Sequence, residues 1–222
     1  SCGNSRASYY TGRHVRSHGA TWNGWPNRLD ELTLADHLAA CDMSPYLMGK
    51  THMKLDMAGM NRLGIEPQSE LGRFLSNTGF GQGEHDDGLH TVGVAGGYGT
   101  GTPAYFEYLR KHGYAAKNPW VTHANAMQDE DGILRNGMFL KYGHLPARVD
   151  KVHSETAYTT DRAIEMIQHM GPQNWCLHVS YIKPHWPLSA PAPYHQMYRG
   201  MDVPQASKCA SQKIDAHPIY QA

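Results

Sequence analysis

Apolar positions recur at helical spacing in short segments that capping and chain-breaking residues delimit. The clearest predicted helix covers residues 154–170, with Gly171 as its stop, and one side carries Ala163, Ile167 and Met170. It leads into a strand-like apolar run over 175–182 that ends at Pro184. A helix that returns into a mostly apolar strand is typical of a parallel α/β sheet.

Weaker patterns predict further elements. They indicate a helix over 5–10 closed by Gly12, a helix over 33–41 with Leu34, Leu38 and Cys41 on one face, and a helix over 102–113. They also indicate a short strand over 46–48. Residues 79–102 read as a long irregular stretch. Its glycine-rich part, 96–101, lacks the spacing of a phosphate-binding loop, so a flexible surface loop is favoured over such a site.

Composition narrows the class of protein. The 222 residues suffice for one sizeable domain, and 20 basic against 20 acidic side chains give zero net charge, which argues against a nucleic-acid binder or a polybasic membrane-surface protein. No apolar run approaches the roughly 20 residues of a membrane helix. Four scattered cysteines without a CxxC pair indicate neither a zinc ribbon nor a disulfide scaffold.

The chain opens with Ser-Cys instead of an initiator Met and shows no obvious stop at 219–222. We therefore expect a segment of a longer protein. A cytoplasmic and a periplasmic location stay equally open.

Cys2 is the first candidate for chemistry. A cysteine where a helix begins lies beside free backbone N–H groups and the positive end of the helix dipole, a place that favours a thiolate or a bound oxyanion. Arg6 follows one turn later and could reach back with its planar set of donors. The structural alternative is a small buried cysteine.

Two further candidates follow predicted strands. Lys50 and His52 come after the short strand and His185 after the stronger one, so both groups belong at the edge of a parallel sheet where such folds bind ligands. The alternatives are a solvated Lys-x-His loop and a structural histidine between Pro184 and Pro187. The His-Asp-Asp run at 85–87 is predicted to be a solvated loop. The sequence leaves open whether His14, His18 and His178 line a ligand pocket or only pack against other side chains.

Three ordered motifs resemble one known family. The run Cys-Gly-Asn-Ser-Arg-Ala-Ser-Tyr-Tyr-Thr-Gly-Arg at 2–13, followed by His18-Gly19 and Asn23, is similar to the signature of formylglycine-dependent sulfatases and phosphonate monoester hydrolases of the alkaline phosphatase superfamily. Gly-Lys-Thr-His at 49–52 resembles the family's Gly-Lys-x-His element. Residues 180–187 and 190–198 resemble its Pro-His-x-Pro element and the following loop, so the resemblance spans about 1–200.

The resemblance implies an α/β fold: a mixed, largely parallel sheet flanked by helices. Residues 1–222 would be the N-terminal part of a single sulfatase-like catalytic domain, lacking its first strand and its C-terminal part. The implied activity is metal-dependent hydrolysis of sulfate esters or of phosphonate or phosphate mono- or diesters. The implied partners are a small anionic ester and the formylglycine-generating enzyme, and the implied cofactor is calcium or manganese.

In that family the cysteine is oxidised to formylglycine, whose hydrated aldehyde attacks sulfur or phosphorus through one metal-bound hydroxyl. After the alcohol leaving group departs, the second hydroxyl loses its proton and the hemiacetal collapses, which expels sulfate or phosphonate. Carried over, Cys2 is the nucleophile position and, as formylglycine, a metal ligand; the other metal ligands are expected outside this segment. Arg6 orients the nucleophile, and Asn23 matches a substrate-pocket asparagine.

The remaining implied roles concern the substrate. Lys50 and His52 would contact the oxyanion and the diol, and His185 would donate a proton to the leaving group. Lys50-x-His52 is the sulfatase form of its element, whereas 192–199 look more like the phosphonate hydrolases. The modification motif departs at Asn4, where the family usually has Pro. That residue favours the alternative function, a non-catalytic anion-binding or interaction domain without modified Cys2.

Overall fold

The computed structural model describes residues 1–88, 103–205 and 207. The helices are α1 (Cys2–Thr11), α2 (Val15–His18), α3 (Leu34–Ala39), α4 (Met57–Leu63), α5 (Glu70–Ser76), α6 (Ala104–Lys111) and α7 (Glu155–His169). The strands are β1 (Ser44–Gly49), β2 (Gly81–His85), β3 (Ala126–Gln128), β4 (Leu134–Asn136) and β5 (Trp175–Ser180). A π-helical turn covers Trp120–Ala124.

The main sheet has three parallel strands in the order β2-β1-β5. Gly49, the last residue of β1, pairs with both His85 at the end of β2 and Ser180 at the end of β5. All three strands therefore end at one level. A separate antiparallel pair joins β3 to β4. The predicted α/β class with a mixed, largely parallel sheet is confirmed.

Capping residues explain where the helices begin and end. Ser154 Oγ accepts the Ala157 N–H at the start of α7, and Gly12 ends α1 with the left-handed φ of 66° that glycine adopts readily. A capping box at Thr33 starts α3. The helices predicted over 154–170, 33–41 and 102–113 are thus found within a few residues, and α1 begins earlier than predicted, at Cys2.

Apolar side chains cover both faces of the sheet. On one face Leu47 of β1 lies in a cluster that joins α1 and α3 to the strands: Ala7, Tyr10, Ala20, Ala35, Leu47, Met53 and Phe80. On the other face Met48 and Met166 of α7 both lie beside Gly83. A second cluster links α6, the π-helical turn and α7: Tyr105, Phe106, Leu109, Trp120, Ala124, Ala147, Val149 and Tyr158.

Several predictions need correction. The stretch 79–102 is not irregular throughout, because β2 occupies Gly81–His85. The strand was not visible in the sequence, because its glycines leave no alternation of apolar and polar side chains. The strands pack closely at this point: a Cβ at Gly81 would lie 3.1 Å from the Tyr46 ring. The predicted apolar faces are wrong at Ile167, 44% exposed, and at Cys41, also exposed. The glycine-rich segment 96–101 lies outside the described residues.

Within the described ranges, no helix has both the length and the apolar character to cross a membrane.

Candidate functional site

The candidate site lies at the carboxyl edge of the sheet. Because β1, β2 and β5 end at one level, the edge gathers the segments 50–52, 86–87 and 181–187. Helix α1 packs beside this edge, with Tyr10 in the core cluster that includes Leu47 of β1. This is where open parallel sheets bind ligands.

Cys2 is the first residue of α1 and carries a half-buried free thiol. The N–H of the next residue, Gly3, donates to Asn23 Oδ1 at 2.7 Å. A Cβ at Gly3 would lie 2.9 Å from Asn23 Cα, so this close approach requires glycine. Asn23 thus lies beside Cys2 and anchors the start of α1. Its predicted role in a substrate pocket did not include this contact.

Arg6 ties α1 to the sheet edge. Its Nη1 donates to the carbonyl of Lys50 and to Ser180 Oγ, both at 2.9 Å. The structure therefore turns this guanidinium nitrogen toward the ends of β1 and β5 instead of back along the helix. A positive charge is fixed between helix and sheet, one turn from Cys2.

Lys50 is buried, with 4% of its surface exposed, so the alternative of a solvated Lys-x-His loop does not apply to it. Its N–H donates to the Ser180 carbonyl at 2.8 Å. Burial lowers the pKa of Lys50; the charge of Cys2 opposes this shift and that of Arg6 adds to it. The amine thus lies within electrostatic range of both α1 residues.

Asp87 holds the backbone between Lys50 and His52. Its Oδ1 accepts the N–H groups of Thr51 and His52 at 2.9 and 3.0 Å, and its Oδ2 lies 3.0 Å from His85 Nε2. His52 takes a left-handed φ of 48°, uncommon for histidine. Although burial favours the neutral acid, contacts with His85 and His52 hold the pKa of Asp87 below its ordinary value.

A group of buried ionisable side chains lies close to this turn, so the prediction of a solvated loop at 85–87 is wrong. Asp86 is 5% exposed, and burial raises its pKa to about 6. Glu155, at the start of α7, is 4% exposed, and burial together with the charge of Asp86 raises its pKa to about 8. The charges of Lys183 and Lys50 act in the opposite direction on Glu155.

His185 lies on the loop after β5 with an exposed ring. Its Nδ1 is 2.7 Å from the carbonyl of Trp186. A carbonyl oxygen only accepts hydrogen bonds, so Nδ1 carries the proton and donates. Nε2 takes no part in this hydrogen bond. Among the contacts of the described residues, no hydrogen bond joins His185 to Cys2, Arg6 or Lys50, in contrast to the Arg6–Lys50 pair.

His14, His18 and His178 lie in three different environments. His18 is buried, accepts the Ala20 N–H at Nδ1, 3.1 Å away, and bonds Ser8 Oγ through Nε2, so it packs within the turn after α1. His178 packs among aromatic rings, with the centre of the Tyr9 ring 5.4 Å away and the two planes tilted by 40°. His14 is exposed.

Sequence reasoning missed Ser180, Asp87 and Glu155. Ser180 could have been noticed as the last strand residue before a motif loop, and Asp87 as an acid directly after a strand. No signal marks Glu155, because an acidic residue in the first turn of a helix is ordinary.

Residues 1–88, 103–205 and 207 include no group of three His, Cys, Asp or Glu side chains placed to hold a metal ion. These residues therefore do not by themselves fit the divalent ion that the family resemblance implies.

Comparison with curated proteins found a relative 29% identical over 224 residues, the multifunctional alkaline phosphatase superfamily protein PehA of Trinickia caryophylli. The match covers 99% of this chain and 39% of PehA. No family model matches the chain.

Two solved structures share the fold. Phosphonate monoester hydrolase SpPMH of Silicibacter pomeroyi matches with a TM-score of 0.74 and 25% identity over 100% of this chain and 40% of its own. The phosphonate monoester hydrolase of Agrobacterium radiobacter matches with a TM-score of 0.70 and 20% identity over 100% of this chain and 39% of its own. The chain thus spans about 40% of the length of the relatives it matches.

Proposed function

The chain resembles the phosphonate monoester hydrolases of the alkaline phosphatase superfamily, and on this basis we propose that the complete protein hydrolyses esters of oxyanionic acids. Phosphonate monoesters are the favoured substrate class, since SpPMH, 25% identical to this chain, is a phosphonate monoester hydrolase. Phosphonate diesters, phosphate mono- and diesters, and sulfate esters are the other candidate substrates. The nucleophile is proposed to derive from Cys2 by conversion to formylglycine.

One observation carries the proposal: Arg6 of α1, one turn after Cys2, is bonded to Lys50 at the carboxyl edge of the sheet. The guanidinium of Arg6 is bonded to the Lys50 carbonyl at 2.9 Å, and the charges of Lys50 and Cys2 interact. A fixed guanidinium and a buried amine beside a helix N-terminus suit a tetrahedral oxyanion.

The residues are assigned the following roles. Cys2, as formylglycine, supplies the attacking hydroxyl, and Arg6 and Lys50 stabilise negative charge beside it. His52 contacts the oxyanion and His185 protonates the leaving group. A divalent ion, calcium or manganese, is proposed as the cofactor of the complete protein.

The test compares two cysteines in the complete protein. Cys2→Ala should reduce kcat/KM for a 4-nitrophenyl phosphonate monoester at least about 1000-fold, because nucleophilic and electrostatic contributions act together. Cys41→Ala is the matched control, since Cys41 is an exposed free thiol beyond α3, and it should leave the rate unchanged. Undiminished hydrolysis by the Cys2→Ala protein would overturn the proposed nucleophile.

Only unmodified thiol at Cys2 after expression in a competent host, together with no hydrolysis of phosphonate, phosphate or sulfate esters, would favour a non-catalytic anion-binding or interaction domain instead. Asn4, in place of the family's usual Pro, is the feature that would then be explained.

A further inference from the structure

The orientation of the His185 ring depends on a carbonyl of its own loop. Nδ1 donates to the carbonyl of Trp186 at 2.7 Å, and the backbone N–H of His185 donates to the carbonyl of Ile182 at 2.9 Å. Within the described ranges the exposed ring makes no other hydrogen bond. Whatever fixes the Trp186 carbonyl therefore also fixes the direction of Nε2, the other nitrogen of the ring.

Lys183 holds the part of the loop that carries this carbonyl. Its Nζ donates to the carbonyl of Pro187, the residue directly after Trp186, and to Asn125 Oδ1 at 2.7 Å. The carbonyls of Trp186 and Pro187 belong to consecutive peptide groups, so a shift of one displaces the other. The Lys183 side chain thus bridges the loop on both sides of His185.

Asn125 gives this amine a fixed anchor outside the loop. It is 2% exposed and directly follows the π-helical turn. Its Nδ2 donates to the Trp120 carbonyl at 3.3 Å, and its own carbonyl accepts the Gly137 N–H at 3.0 Å. Because an ammonium only donates, the side chain of Asn125 must turn Oδ1 toward Lys183, as it does.

The Lys183 ammonium is not used to neutralise an acid. Among the residues that the structure describes, no carboxylate lies within ion-pair distance of it. Burial lowers the pKa of Lys183, and the more distant charge of Glu155 opposes this shift. Burying a charged group costs free energy unless it is hydrogen-bonded, and both bonds of this amine go to neutral oxygens that hold the loop.

We propose that Lys183 is a positioning residue for His185. Its ammonium ties the Pro187 carbonyl to Asn125 and so keeps the Trp186 carbonyl where it orients the imidazole. The inference rests on the proposed ester hydrolysis, because it assigns Lys183 to the delivery of the leaving-group proton by His185.

Lys183→Met in the complete protein removes the donors and nearly keeps the length of the side chain. It should lower kcat for a methyl phosphonate monoester at least about tenfold and kcat for the 4-nitrophenyl ester less than about threefold, because only the poor leaving group needs the proton. KM should stay within about twofold for both esters. Lys183→Gln, which is polar and uncharged, should show the same pattern at smaller size and replaces Lys183→Met if that variant does not fold.

Lys111→Met is the matched control, because Lys111 is exposed at the end of α6, and it should change neither rate. An equal loss for both esters in the Lys183 variants would overturn the positioning role. A loss of the same size in the His185→Asn background would overturn it too, since a residue that acts through His185 has nothing to act on there.

The tautomer of His185 gives a readout that does not need activity. In protein labelled with ¹⁵N at histidine and studied at alkaline pH, with signals assigned by His185→Asn, wild type should show a protonated Nδ1 and a bare Nε2. Lys183→Met should show a mixture of the two tautomers, and Lys111→Met should match wild type. Unchanged His185 signals in Lys183→Met would overturn the inference even in an active enzyme. The expected signals in a protein that hydrolyses none of the esters would contradict the proposed function instead, and would support the contact of Lys183 with the loop.

Discussion

At the scale of single residues, the tautomer of His185 bears on its proposed role. With Nδ1–H donated to the Trp186 carbonyl at 2.7 Å, the ring is fixed in orientation and presents Nε2 outward. A proton carried on Nε2 would be the one delivered to a leaving group. The exposure of the ring lets an ester approach it from solvent.

His185→Asn in the complete protein should therefore slow hydrolysis most for esters with poor leaving groups. An alkyl ester should lose about 100-fold or more, and a 4-nitrophenyl ester much less, because only the basic leaving group needs the proton. Rates across a series of leaving groups give the slope that checks this. An equal loss for all esters would leave oxyanion binding as the only role of His185.

Glu155 gives a second residue-scale prediction, on stability. Burial raises its pKa from 4.5 to about 8, so between these values the folded state holds a proton that the unfolded state has released. The contribution of Glu155 to the free energy of unfolding therefore falls as the pH rises from about 5 to about 8. Glu155→Gln should be the more stable protein at pH 8, by a few kcal/mol (about 1.4 kcal/mol per pKa unit), and nearly equal at pH 4.5.

Urea unfolding of both proteins between pH 4.5 and 8 measures the difference. Glu130→Gln, at an exposed position, is the control and should show no such trend. A stability difference that is constant with pH would mean that Glu155 is ionised in the folded state.

At the scale of elements, the turn after β1 depends on Asp87. Its carboxylate accepts the N–H groups of Thr51 and His52 and contacts His85, and it keeps His52 at positive φ. The adjacent acid, Asp86, is equally buried but accepts from the Gly88 N–H instead. The two neighbouring carboxylates therefore form a natural pair for comparison.

Asp87→Asn should destabilise the chain by about 2 kcal/mol, because the bonds to an ionised acceptor are weakened, and should shift the amide signals of Thr51 and His52. Asp86→Asn should leave those amides in place. Since the pKa of Asp87 is lowered, its contribution is complete above the unfolded value near 3.8 and is lost as the pH falls through the folded one. Amide spectra that respond equally to both substitutions would contradict the assigned turn.

The elements also show what the sequence could predict. Caps and stops located α1, α3, α6 and α7, because Ser154 and Gly12 act through local backbone geometry. Strand β2 was not predicted, because Gly81 and Gly83, which pack closely against β1, leave no alternation of apolar and polar side chains. The motif residues were found at the sheet edge, whereas Asp87 and Glu155 were missed because burial of a charge depends on tertiary packing.

At the scale of the whole molecule, metal binding should be weak in this chain alone. The described residues offer no group of three acidic, His or Cys ligands, and hard cations need several oxygen ligands in one shell. Calorimetric titration of the 222-residue chain with calcium and with manganese should show no sub-micromolar site. Tight binding of either ion would show that residues of this chain form a site by themselves.

Cys2 is proposed to become a formylglycine nucleophile. Asn4 lies in the first turn of α1, where proline is tolerated, and proline would hold the unfolded recognition peptide extended. The retained Arg6 should still support recognition by the formylglycine-generating enzyme. We expect partial conversion in wild type and a higher fraction in Asn4→Pro, with activity rising in proportion.

Mass spectrometry of the Cys2 peptide, after co-expression of the complete protein with the formylglycine-generating enzyme, tests this most directly. The predicted result is a peptide that has lost the cysteine sulfur and gained an aldehyde, in larger amount for Asn4→Pro than for wild type. If both proteins contain only the unmodified thiol and ester hydrolysis is undiminished, Cys2 does not act as a formylglycine nucleophile.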